Sequence, residues 1–185
     1  MNGLASIAAS IPAAAKDIAL NFQTLLQSGS LSAAQRWGVS VASAIASRNL
    51  PFRDAILAEA SREVGAAVID DAAAAAALMS MTNIYYRFRH LIGKPGYSEK
   101  AARLRMNRLA NPSTSKINLE LFCLVVSAIN GCEVCLRAHE KAVLEGGLSE
   151  EQVHDAVRIA AVVHAAAVAL ESPIVTSKVG EAAVA

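Results

Sequence analysis

The sequence is poor in aromatic residues, glycine and proline, and these shortages narrow the choice of fold. Aromatic residues make up 4% of the 185 residues although hydrophobic residues make up 54%, so alanine supplies much of the apolar content. Alanine has the highest helix propensity and loses almost no side-chain entropy on folding. The composition therefore predicts an all-α chain with closely packed helices.

The sequence also lacks an excess of charge and a long apolar run. Its formal net charge is +1, which gives no indication of binding to nucleic acid or to an anionic membrane. The uncharged run Ala72–Tyr86 has 15 residues, fewer than the roughly 20 that cross a bilayer as a helix. The first 15 residues carry no Lys or Arg, unlike a secretory signal. We expect a cytoplasmic protein that does not bind membranes.

Motifs that hold common cofactors are missing as well. The sequence has no Gly-rich phosphate loop, so it gives no support for flavin or nicotinamide binding. It shows no alternation of strands and helices, which argues against a thioredoxin fold. With three cysteines in a reducing compartment, a C-x-x-C pair is more often catalytic or metal-binding than structural.

Turn and capping signals divide the chain into helices. Ser32 with Gln35, and Ser149 with Gln152, match capping boxes, and Ser115 is a further N-cap candidate. The predicted helices cover about Pro12–Gln27, Ser32–Arg48, Pro51–Val64, Ala66–Leu91, Lys100–Leu109, Ser115–Asn130, Cys132–Gly146 and Ser149–Ser172. Residues 174–185 show no clear periodicity.

We interpret the chain as one helical domain over residues 1–185 with an internal duplication. The segments Val41–Ile45 and Val125–Ile129 are similar at an offset of 125 − 41 = 84 residues. Asp71 and Asp155 are related by the same offset, and each enters an apolar helix. The related halves would span about 31–93 and 115–172, with the cysteines in the second half only.

The most informative stretch is residues 130–139. Asn130-Gly131 is a turn signal, and Cys132, Cys135 and His139 follow it at the spacing that places side chains on one helical face. A helix that begins near Cys132 has free N–H groups and a macrodipole that favour a thiolate. The spacing therefore predicts a redox dithiol with an imidazole beside its second sulfur.

Glu120 can complete a proton relay with this dithiol. His139 can accept the thiol proton of Cys135, and Cys132 can attack an oxidised Cys135. If the chain turns back at Asn130-Gly131, Glu120 on the preceding helix reaches His139, where it orients the imidazole and raises its basicity.

Other residues allow other interpretations. Cys132 and Cys135 with His139 and a distant His154 or Cys123 could form a zinc site, although no second ligand pair exists at the usual spacing. We expect Cys123 to be a small core residue and His164 to be a hydrogen-bonded core histidine. We expect His90 and His154 near the surface. Aromatic residues that should fill helix contacts rather than bind a cofactor are Trp37, Tyr85 and Tyr86.

The chain resembles the alkyl hydroperoxide reductase D family, within the wider carboxymuconolactone decarboxylase-like superfamily. The similar segments are Ala15–Asn21, Arg105–Pro112 and Phe122–Glu140, and the likeness covers nearly the whole chain. The family signature is a glutamate, a C-x-x-C pair, and a histidine four residues later. Glu120, Cys132, Cys135 and His139 occupy these positions.

The resemblance implies an all-α homotrimer with a thiol-dependent peroxidase cycle. Cys135 would form the sulfenic acid, Cys132 would be the proton donor and resolving cysteine, and both would form a redox disulfide, with His139 and Glu120 as the proton relay. The implied partners are an organic hydroperoxide and alkyl hydroperoxide reductase C, the latter through a mixed disulfide on Cys135. The reductant would be the dihydrolipoyl group of a lipoylated acyltransferase, with no bound cofactor or metal.

One position departs from the family pattern. Some members carry a histidine just before the second cysteine, and here that residue is Val134. The relay would then be shorter, and direct peroxidase turnover could be weaker than disulfide transfer. The remaining alternatives are a decarboxylase of the superfamily, whose chemistry needs no dithiol, and a non-enzymatic zinc-binding helical module.

Overall fold

A computed structural model describes residues 3–27 and 29–171 of the chain. All regular structure in these ranges is helical, which confirms the predicted all-α class. The α-helices are α1 (Gly3–Ser10), α2 (Lys16–Leu25), α3 (Ala33–Ser47), α4 (Leu50–Glu63), α5 (Ala66–Ile92), α6 (Pro95–Ser98), α7 (Lys116–Ile129), α8 (Glu133–Glu145) and α9 (Glu150–Glu171); short 3₁₀ turns lie at Ala13–Ala15 and Asn107–Ala110.

Helices α3 and α7 form the centre of the fold, and α5 and α9 pack on them. Nearly every residue of α7 from Leu119 to Ser127 is buried, as is the middle of α3. The two central helices approach closely at Gly38, where a Cβ atom would lie 2.0 Å from the Phe122 ring. The glycine is therefore required by packing, because a larger residue would push the central helices apart.

The predicted helix ends are largely confirmed. Ser32 and Gln35 form the reciprocal hydrogen bonds of a capping box at α3, and Ser149 and Gln152 form the same pair at α9. Ser115 accepts a hydrogen bond from the Asn118 backbone N–H at the start of α7. These side chains satisfy backbone donors that a helix N-terminus leaves unpaired.

Two predictions about helices were wrong, and one lies outside the described residues. The Ala-rich N-terminus forms α1, which the sequence reading missed. Most of the predicted helix Lys100–Leu109 is irregular, and only the 3₁₀ turn Asn107–Ala110 and α6 are ordered as helix in that region. Hydrogen bonds from Arg108 and from the backbone to buried Asp71 hold the end of this region. The predictions for residues 172–185 fall outside the described ranges.

The helices repeat along the chain as the duplication requires. Helices α3, α4 and α5 begin 83 or 84 residues before α7, α8 and α9, respectively. Asp71 on α5 accepts hydrogen bonds from the backbone N–H and the hydroxyl of Thr114, and Asp155 on α9 accepts the same two bonds from Ser30. Both residue pairs are related by 84 positions. The duplication stays a prediction, and these paired contacts support it.

Helix α9 alone among the described helices is long and apolar enough to cross a membrane, and the bent pair of α1 with the following helical segment passes the same test only when taken together. The apolar residues of α9, including Ile159 and Val163, pack against α2, α3 and α7. Burial within the fold accounts for this composition, since a core helix has the same apolar character as a membrane span.

Candidate active site

A tight turn between α7 and α8 positions the two cysteines. Gly131 has a φ of 66° in this turn, a left-handed conformation that glycine adopts without strain. The backbone N–H of Cys132 donates to the Ser127 carbonyl at 3.1 Å, and the Cys132 carbonyl accepts from Leu136 at 2.9 Å. Cys132 is therefore the N-cap residue of α8, and Cys135 lies in the first helical turn.

All three cysteines are free thiols, and all three are buried. Cys132 and Cys135 are neighbours at the start of α8, and the Cys132 thiol is one of the influences that raise the pKa of Cys135. Cys123 lies in the core of α7, and burial raises the pKa of its thiol well above the usual range. The prediction that Cys123 is a core residue is confirmed.

The structure brings together Glu120 and His139, which the sequence separates by 19 positions. The His139 Nδ1 atom lies 2.6 Å from a Glu120 carboxylate oxygen, and the two side chains are only 12% and 14% exposed. A carboxylate at Nδ1 favours the tautomer with the proton on that nitrogen. The Nε2 lone pair of His139 is then available to accept a proton.

Cys135 and His139 share the wall of a cavity of about 210 Å³. Its lining is almost wholly apolar, so a bound molecule would be held by shape and by burial of apolar surface, with the sulfur and the imidazole as the polar groups. The other lining residues come from α5, from the segment before α7 and from α8: Met79, Thr82, Tyr86, Met106, Leu109, Val134 and Ala138.

The Cys135 thiol is protonated in this state of the molecule. Burial, followed by the neighbouring Cys132 thiol, raises the pKa of Cys135 to about 12. Hydrogen bonds from Asn83 and from the Cys135 backbone N–H act in the opposite direction. The helix N-terminus therefore does not outweigh burial, and attack by Cys135 requires a base that removes its proton.

Sequence reasoning missed the part of the site that α5 contributes. Tyr86 lines the cavity, a position that the sequence did not indicate. Asn83 is buried and donates to Ser127 Oγ at 3.0 Å, while Asn130 Nδ2 donates to Asn83 Oδ1 at 2.9 Å. The only signal was a polar Thr82-Asn83 pair inside an Ala-rich helix.

The remaining candidate residues lie away from the dithiol or point elsewhere. His164 is hydrogen-bonded to Ser47 at 3.0 Å, as predicted, but it is partly buried rather than in the core. His90 and His154 are exposed, also as predicted. Within the described ranges no group of three or more His, Cys, Asp or Glu is arranged to hold a metal ion, so the zinc alternative finds no ligand set there.

The cavity wall also includes the residue at which the chain departs from the family signature. Val134, which lies between the two cysteines in the sequence, is 40% exposed and lines the cavity. Glu133 lies outside the cavity, where it pairs with Arg137 and His90. Its carboxylate is therefore no replacement for a histidine at position 134.

Comparison with known proteins identifies the class first. The model of the Carboxymuconolactone decarboxylase family matches residues 95–173, a span that contains α7, α8 and α9 and therefore both cysteines of the pair. The dithiol thus lies within the part of the chain that matches that family.

Curated relatives then narrow the class. The chain is 63% identical over 171 residues to alkyl hydroperoxide reductase AhpD of Anaeromyxobacter dehalogenans strain 2CP-C, covering 92% of each chain. It is 45% identical over 167 residues to the AhpD of Rhodospirillum centenum, covering 90% of each. It is 46% identical over 162 residues to that of Brucella abortus strain 2308, covering 88% of this chain and 93% of the relative. The chain belongs to the alkyl hydroperoxide reductase AhpD family.

Proposed function

We propose that this protein is an antioxidant thiol oxidoreductase that reduces alkyl hydroperoxides through a Cys132–Cys135 redox couple. The observation that carries the proposal is the buried dithiol that shares an apolar cavity with His139, itself hydrogen-bonded to Glu120. The relatives named alkyl hydroperoxide reductase support peroxide as the oxidant. The apolar lining suits a hydroperoxide with an alkyl chain.

The peroxide half-cycle oxidises the dithiol by two electrons. His139 Nε2 accepts the Cys135 proton, and the thiolate sulfur attacks the outer peroxide oxygen, breaking the O–O bond. The products are a Cys135 sulfenic acid and an alcohol, whose proton comes from Cys132 or from the His139 imidazolium. The Cys132 sulfur then attacks the sulfenic acid, which forms the Cys132–Cys135 disulfide and releases water.

A dithiol donor closes the cycle. We propose that the dihydrolipoyl group of a lipoylated acyltransferase reduces the disulfide by thiol–disulfide exchange and becomes the cyclic lipoyl disulfide. In a second use of the same couple, the Cys135 thiolate attacks the disulfide of alkyl hydroperoxide reductase C. Cys132 resolves the mixed disulfide and releases the reduced peroxiredoxin. The reducing cytoplasm is the compartment in which such a dithiol is regenerated.

Homotrimer formation is part of the proposal and is supported by one surface. Ile84, Phe88, Leu91 and Ile92 are exposed large apolar residues on one face of α5. Exposed apolar residues that lie next to each other are typical of protein interfaces. Light scattering after size-exclusion chromatography should give three times the 19.3 kDa chain mass; a monomer at micromolar concentration would contradict the trimer.

The test of function measures hydroperoxide consumption with dihydrolipoamide as the reductant. Wild-type protein should turn over, and Cys132→Ser and Cys135→Ser should both stop the cycle. Cys123→Ser is the matched control and should retain turnover, since Cys123 lies in the core away from the cavity lining. Turnover by Cys135→Ser would overturn the role given to that residue. Lactone decarboxylation by the cysteine variants would favour the superfamily decarboxylase instead.

A further inference from the structure

A buried polar cluster beside the dithiol has no part in the relay of His139 and Glu120. It consists of Asn83 on α5, Ser127 on α7 and Asn130 in the turn before Cys132. Asn83 Nδ2 donates to Ser127 Oγ at 3.0 Å, and Asn130 Nδ2 donates to Asn83 Oδ1 at 2.9 Å. Arg87, one turn further along α5, donates to the Asn130 backbone carbonyl.

These bonds fix the direction of the Asn83 amide. Its oxygen is occupied by the Asn130 donor, so its NH₂ group faces Ser127 and the Met79 sulfur. With the amide reversed, two NH₂ groups would face each other and the bond to Asn130 would be lost. The NH₂ group has two protons. Ser127 Oγ accepts one, and the thioether sulfur of Met79, a weak acceptor, lies 3.6 Å from the same nitrogen.

The second proton faces Met79, which lines the same cavity as Cys135, and a Cys135 thiolate is a stronger acceptor than a thioether sulfur. Met79, Thr82 and Tyr86 lie three or four residues from Asn83 and line the cavity that contains Cys135. Asn83 is 1% exposed, so water does not compete for its protons. A buried amide donor beside a sulfur strongly favours the charged form of that sulfur over the neutral thiol.

We propose that Asn83 donates a hydrogen bond to the Cys135 sulfur and stabilises the thiolate that attacks the substrate. This inference rests on the proposed function, because it concerns the sulfur that reacts there. It assigns Asn83 a role in catalysis that is separate from the proton transfer by His139. Asn130 and Arg87 are positioning residues, since they act on Asn83 rather than on the sulfur.

The electrostatics of the site agree with this geometry. Burial and the Cys132 thiol raise the pKa of Cys135, and the hydrogen bond from Asn83 is the largest influence that lowers it. The backbone N–H of Cys135 gives a smaller lowering. Tyr86 and His139 are the titratable residues that share the cavity wall with Cys135. The Cys132 thiol adjoins Cys135, Glu120 pairs with His139, and the buried Cys123 thiol interacts with Cys135 electrostatically.

The test measures the reactivity of the Cys135 thiolate without any substrate of the proposed enzyme. Reduced protein is alkylated with iodoacetamide between pH 7 and pH 10, and tandem mass spectrometry gives the rate at Cys135. Asn83→Ala should slow alkylation by roughly 10-fold to 100-fold at each pH, as expected for loss of a hydrogen bond to a charged group. Asn83→Asp should slow it further, because the same shape then presents an oxygen in place of the donor.

Asn49→Ala is the matched control. Asn49 is also a buried asparagine, with its amide bonded to the Ala167 carbonyl and its oxygen bonded to the Phe52 N–H, but it lies in the first half of the chain. In Asn49→Ala, Cys135 should be alkylated at a rate within about twofold of wild type, because loss of the Asn49 side chain affects stability and not the sulfur. Wild-type alkylation rates in folded Asn83→Ala and Asn83→Asp would overturn the proposal.

A second measurement keeps the proposal testable if the Asn83 variants do not fold. In protein labelled with ¹⁵N-asparagine, the side-chain NH₂ resonances of Asn83 should differ between wild type and Cys135→Ala, which removes the acceptor. Unchanged resonances would refute the hydrogen bond. Neither readout uses a peroxide or a disulfide, so inactivity toward those substrates with normal alkylation results would count only against the proposed function.

Discussion

Replacing Glu120 by glutamine tests the proton relay most sharply. The substitution keeps the shape of the side chain and removes its charge, while His139 keeps a polar neighbour. When His139 takes the proton of Cys135, the imidazolium that forms lies 2.6 Å from the carboxylate. Glu120→Gln removes that charge and leaves the rest of the cavity wall unchanged.

The expected loss can be estimated from this one contact. A hydrogen bond to a charged group contributes about 1.5–3 kcal/mol, and the low exposure of both side chains leaves little water to replace it. At about 1.4 kcal/mol per factor of ten, Glu120→Gln should slow thiol oxidation by about 10-fold to 150-fold. His139→Gln removes the base itself and should slow the step by about 10²-fold to 10⁴-fold.

The assay is a single turnover of fully reduced protein with excess hydroperoxide at neutral pH, followed by counting of free thiols. The double variant that combines Glu120→Gln with His139→Gln should react at a rate within about threefold of that of His139→Gln alone, because the carboxylate acts only through the imidazole. Glu133→Gln is the control. Glu133 lies on α8, as His139 does, but its carboxylate is exposed and pairs with Arg137. Losses that multiply in the double variant, or a normal rate in both single variants, would refute the relay.

Two further predictions concern stability. Asp71→Asn should lower the free energy of unfolding by about 2–4 kcal/mol, because the buried carboxylate accepts bonds from Arg108 and from the backbone and hydroxyl of Thr114; urea denaturation measures this. The pKa of Cys135 is raised from 9.0 to about 12, so the folded state keeps a proton that the unfolded chain releases. The corresponding stability is present below about pH 9 and is lost as the pH rises toward about 12. Cys135→Ser should flatten that alkaline loss in reduced protein.

Each stability prediction has a control within the chain. Asp70 also pairs with Arg108 but is 63% exposed, so Asp70→Asn should change the unfolding free energy by less than about 1 kcal/mol. An equal cost at both aspartates would show that burial of Asp71 is not the cause. For the alkaline prediction, an unchanged slope of stability against pH in Cys135→Ser would contradict the raised pKa.

The sequence predicts the parts of this structure that local physics determines. Helix ends with strong side-chain caps, such as Ser32 and Ser149, were placed correctly, because capping bonds form between residues three apart. The spacing of Cys132, Cys135 and His139 followed from helix geometry. The contact of Glu120 with His139 followed from a single turn between two helices.

The parts that were missed depend on packing between distant segments. Beyond the polar Thr82-Asn83 pair, nothing local distinguishes Asn83 or Tyr86 from other helix residues, and their position in the site appears only once α5 packs against α7 and α8. The irregular segment before α7 was read as a helix because its composition allows one. Its actual path is set by buried Asp71, some 40 residues earlier, which binds residues 108, 113 and 114.

The proposed redox couple of Cys132 and Cys135 is tested most directly by peptide mapping. Fully reduced protein is treated with one equivalent of an alkyl hydroperoxide, blocked with an alkylating agent and digested without reductant. We expect loss of two thiols, a Cys132–Cys135 disulfide and a free Cys123. A disulfide that includes Cys123, or peroxide consumption with three free thiols, would contradict it.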